Sequence, residues 1–118
     1  MNTAWESFHR AVHELASSAT IKQRLTCSFS KHLNDLDVEE LPPELHSKFL
    51  ELTRDLTSVA PLRGETAVCA TVRKMSNDEA EAVAQRIVEM LGQLARHVEQ
   101  PVRAAKPRRV LSLYAAEA

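Results

Sequence analysis

The chain has 118 residues, with 44% hydrophobic, 26% charged and 4% aromatic residues, two Gly, five Pro and two Cys. That is enough for one ordinary domain with its own core, and the few breakers beside many Ala, Leu, Glu and Arg favour helix over sheet. The net charge of −1 divides unevenly: residues 1–100 hold 11 Lys/Arg against 15 Asp/Glu, and residues 101–118 hold four Lys/Arg against one Glu. The body is therefore not a basic nucleic-acid scaffold, and the aromatic content is too low for a base-stacking platform.

A first helix is expected to open at Thr3, where TAWE has the S/T-x-x-E form of a capping box. Trp5, Phe8, Val12 and Leu15 repeat at helical spacing and form its apolar stripe, flanked by Ala11 and Ala16. ASSAT at 16–20 interrupts the pattern. A second box, Thr20 to Gln23, opens a helix whose arc is Ile21, Leu25, Phe29, Leu33 and Leu36, with an end expected around 34–37. Asp37 in DVEE is placed to cap a single turn before Pro42. Pro43 suits the first turn of a third helix, where the missing amide costs nothing, and Leu45, Phe49, Leu52 and Leu56 form its stripe. Leu50 falls off that stripe, to meet a neighbour or face water.

Residues 58–65, SVAPLRGE, are the clearest break. Residues 66–75, TAVCATVRKM, mix β-branched residues with poor alternation and are read as a short helix. SNDE at 76–79 is the strongest start signal, with a Ser cap, acids in the first turn and Glu at the boxed position. The helix it opens is expected to run to about Glu99 and stop before Pro101. Its apolar residues Ala80, Val83, Ala84, Ile87, Val88, Met90, Leu91, Leu94, Ala95 and Val98 span nearly half the wheel, too broad for one neighbour. This helix should be central, touching several helices or a second copy, and Val88, Leu91 and Ala95 are the expected self-association residues.

The expected fold is all-α: a compact bundle of four main helices plus one short helix over 1–100, followed by an irregular C-terminal tail over 101–118. In the tail, Arg103, Lys106, Arg108 and Arg109 run into Val110, Leu111, Leu113 and Tyr114. The four cations suit only weak, salt-sensitive phosphate binding, whereas the apolar residues need burial. The alternatives are an unstructured end, docking on its own bundle, docking on a partner, and nucleic-acid contact. Cations around apolar anchors have the composition of a protein interface.

Candidate chemistry is thin. His9 and His13 stand four apart on one helix side, which is zinc-ligand spacing, but no third ligand follows at a fixed offset, and residues at the edge of an apolar stripe explain both. His32 falls within the arc of the second helix beside Ser28, and a core-edge histidine bonded to a carbonyl is expected there. Cys27 lies opposite that arc. Neither Cys27 nor Cys69 belongs to a C-x-x-C pair, so two buried reduced thiols are expected, with one disulfide as the alternative. RGE at 63–65 is read as a plain turn before an anion site. No cofactor or metal is expected. No apolar segment is long enough to span a membrane or has the form of a secretion signal, so the expected location is cytoplasmic. The preferred function is a non-enzymatic helical interaction or regulatory module that self-associates, with another protein or a second copy as partner and the tail as a second contact. The alternatives are weak nucleic-acid binding by the basic tail, and an enzyme or metal- or cofactor-binding bundle that uses His9, His13 and His32 between helices.

Overall fold

The computed structural model describes the backbone of residues 3–105 and the side chains of residues 4–97. Among them are five α-helices and no strand: α1 (Thr3–Leu15), α2 (Ile21–Ser28), α3 (Pro43–Leu56), α4 (Ala67–Arg73) and α5 (Asn77–Ala105). The short helix expected over 66–75 is α4, and Thr66 caps it by accepting from the Cys69 amide.

Local chemistry sets most of the boundaries. Thr20 accepts from the Gln23 amide at 3.1 Å while its own amide donates to Gln23 Oε1 at 3.3 Å, so the expected box opens α2. Ser76 and Glu79 make the same reciprocal pair, at 3.0 and 2.8 Å, before α5. Asp37 caps a 3₁₀ turn over Val38–Glu40. Gly64, at φ +79°, is the third residue of a turn closed by the Glu65 amide donating to the Leu62 carbonyl, so RGE forms a plain turn.

The helical rod that begins with α2 continues through a π turn over Phe29–Leu33, closed by the Asn34 amide on the Phe29 carbonyl at 2.8 Å, and is capped at Asn34, where its end was expected. The turn takes an extra residue, with both Phe29 and Leu33 in the core. Two expectations need correction. On α1 the buried line is Ala4, Phe8, Ala11 and Leu15, with Trp5 and Val12 half-buried and Ala16 exposed. The buried stripe is thus rotated toward Ala4 and Ala11. Finally, α5 does not stop before Pro101 but runs to Ala105. Proline at that point removes a single amide donor, and its fixed φ of about −65° is itself helical. The irregular tail therefore does not begin at 101. Arg103 lies on the backbone of α5, whereas Lys106, Arg108, Arg109, Val110, Leu111, Leu113 and Tyr114 lie outside the described residues.

A single core joins all five helices through Phe8, Leu25, Phe29, Leu33, Leu52, Leu56, Val72, Ile87 and Leu94, each almost fully buried. Burying each such side chain contributes about 1.5–3 kcal/mol before the entropy of ordering the chain is subtracted. Phe8 meets Phe49 edge-on, with ring centroids 6.0 Å apart, which ties α1 to α3. α5 packs on α1, α2 and α3, as its broad apolar arc implies. No helix among the described residues is long and apolar enough to cross a membrane.

Candidate functional site

The apolar arc of α5 is mostly used within the subunit. Ala80, Val83, Ala84, Ile87, Met90 and Leu94 are buried. On one margin, however, Val88 stays 46% exposed, and Leu91 and Ala95 are half-buried. At 100° per residue, positions 88, 91 and 95 fall on one strip of the helix. Gly92 adjoins the strip, and a Cβ built there would meet nothing nearer than the Arg96 guanidinium at 3.9 Å. Val98, the last residue of the expected arc, lies outside the described side chains. Leu50 on α3 and Leu62 in the following loop, at 55% and 63%, are the other large exposed apolar side chains among the described residues.

The opposite flank of α5 is polar. It faces α3 across a groove spanned by Arg86 to Asp55 at 3.0 Å and His97 to Glu44 at 3.5 Å. These pairs are substantially exposed, and pairs of that kind each contribute only about 0–1 kcal/mol. They orient α3 on α5 more than they hold it there.

The histidines come together more than their spacing suggested. His9, His13 and His32 line one surface cleft of about 380 Å³ with Arg10, Glu14 and Ser17. His9 stacks on Trp5 at 4.9 Å, and His13 follows 6.2 Å from His9. His32 does not bond to a carbonyl as expected. Its Nε2 lies 3.2 Å from Glu14 Oε1, and the other oxygen of Glu14 faces Lys31 Nζ at 4.0 Å. The carboxylate wins because α1 presents it to the π turn, whereas the carbonyls of α1 and α2 are largely engaged in their own ladders. Ser28, in the same region, is fully buried and donates to the Ala11 carbonyl at 2.8 Å. Among the described residues no three His, Cys, Asp or Glu side chains converge closely enough to hold a metal ion.

Two buried reduced thiols were expected, although the place of Cys27 opposite the apolar arc pointed to partial exposure. Cys27 and Cys69 are half-buried and free, and both line a cleft between α2 and α4. Arg73, on its rim, donates to both oxygens of Glu65, at 2.8 and 3.1 Å. That bidentate bond, seconded by the Leu62 amide, holds the Glu65 carboxyl below its ordinary range, and the carboxylate in turn raises Arg73. Sequence spacing had no means to pair the cysteines, which are 42 positions apart in the chain.

No protein-family profile, curated protein or solved structure matches the chain.

Proposed function

We propose that the protein is a helical interaction module that self-associates through the Val88–Leu91–Ala95 strip of α5. One observation carries this: Val88 keeps 46% of its surface in water on a helix whose other large apolar residues, among the described side chains, are buried or half-buried. Burying such a strip against its own copy removes apolar area from water on both subunits, and a symmetric contact needs only one self-complementary patch. The bundle supplies a rigid surface, and the cations and apolar residues of 106–118, together with Arg103, supply a second contact to the same or another protein.

Sedimentation of the wild-type chain and of Val88→Glu tests this reading. At tens of micromolar the wild type should sediment as an oligomer. The variant should keep its helical circular dichroism, because residue 88 faces water in the single subunit, and should sediment as a monomer. Forcing an unpaired carboxylate into the seam costs several kcal/mol, enough to weaken association by about 100-fold or more. A monomeric wild type, or an oligomer that Val88→Glu leaves intact, overturns the assignment.

A further inference from the structure

The α2–α4 cleft holds both cysteines of the chain, drawn from helices far apart in sequence. Its geometry is set by contacts close to the thiols. Lys22 Nζ donates to the Arg73 carbonyl at 3.2 Å, which pins the first turn of α2 against the last turn of α4. From that contact Cys27 lies five residues along α2, and Cys69 lies four residues back along α4. At 1.5 Å per residue those steps are about 7.5 and about 6 Å. Both cysteines line the same cleft, one from each helix. Gln23 and Thr26 on α2 and Val72 on α4 complete the lining. Both cysteines are half-buried, and the cleft they line is open to a small reagent.

We propose that Cys27 and Cys69 form a dithiol modification site that exchanges with small disulfides such as glutathione disulfide. The thiolate of one cysteine attacks a sulfur of the small disulfide, forming a protein mixed disulfide and releasing one small thiolate. The thiolate of the other cysteine then attacks the protein sulfur of that mixed disulfide, closes the Cys27–Cys69 bond and expels the second small thiolate. Across both steps the two protein thiols lose two electrons and two protons, and the small disulfide is reduced to two thiols. The product staples α2 to α4 and closes the cleft.

The test equilibrates the full chain with glutathione redox buffers, quenches with acid and alkylates what remains reduced. Mass spectrometry then reads the oxidised fraction, and peptide mapping locates the bond. The ratio of reduced glutathione squared to glutathione disulfide at half-oxidation is an effective concentration of one thiol about the other. It should be at least about tenfold higher in the native chain than in urea, where only loop closure brings the cysteines together. Cys27→Ser and Cys69→Ser should each stop at the mixed disulfide. A native value no higher than that in urea overturns the proposal, since the fold would then hold the thiols apart. So does a native product consisting of two separate glutathione adducts or of bonds between molecules.

Discussion

At the level of single residues, the polar groups in the core decide how α1 and α2 sit together. Ser28 is fully buried and has one partner, the Ala11 carbonyl at 2.8 Å. Ser28→Ala should lower stability by about 1 kcal/mol, measured as a shift in the urea midpoint with an unchanged slope, because a buried carbonyl loses its second donor while the helical ladder stays intact. The periodicity of α2 places Ser28 and His32 on its apolar side, so their burial was legible in the sequence. The identity of their partners was not, since Ala11 and Glu14 lie on another helix and no spacing rule connects them. Cys27 shows the same division: its place opposite the apolar arc is readable, but its sharing of a cleft with Cys69 depends on how α4 packs on α2.

At the level of elements, the starts of the helices were more legible than their ends. Caps are local, because a Thr or Ser and a residue three positions on satisfy amides within one turn. Ser76 and Glu79 bond reciprocally before α5, the longest helix. Ser76→Ala should therefore cost about 1 kcal/mol in thermal or urea unfolding, and Ser76→Asp should restore most of it, because an acid is also favourable at a helix N-terminus. Ends are set by packing. The apolar pattern already places Phe29 and Leu33 in the core, but it does not distinguish the π turn that carries them from an α-helical one. Pro101 likewise looks like a stop when only local cost is counted, yet the helix of α5 continues past it to Ala105.

At the level of the whole molecule, the all-α bundle followed from apolar spacing alone, since each stripe requires a neighbour and the short connections leave few arrangements. The breadth of the α5 arc correctly marks a central helix. It did not separate the part used inside the subunit from the part left over, because that depends on which side α1, α2 and α3 occupy. Met90 and Leu94 are covered, while Val88 is not. The proposed function rests on this remainder. The most direct measurement is an isotope-filtered nuclear Overhauser experiment on a mixture of methyl-labelled and unlabelled chains at submillimolar concentration. The Val88 methyls of one copy should give cross-peaks to Val88, Leu91 or Ala95 methyls of another. Val88 methyls that show contacts only within their own chain would contradict the seam.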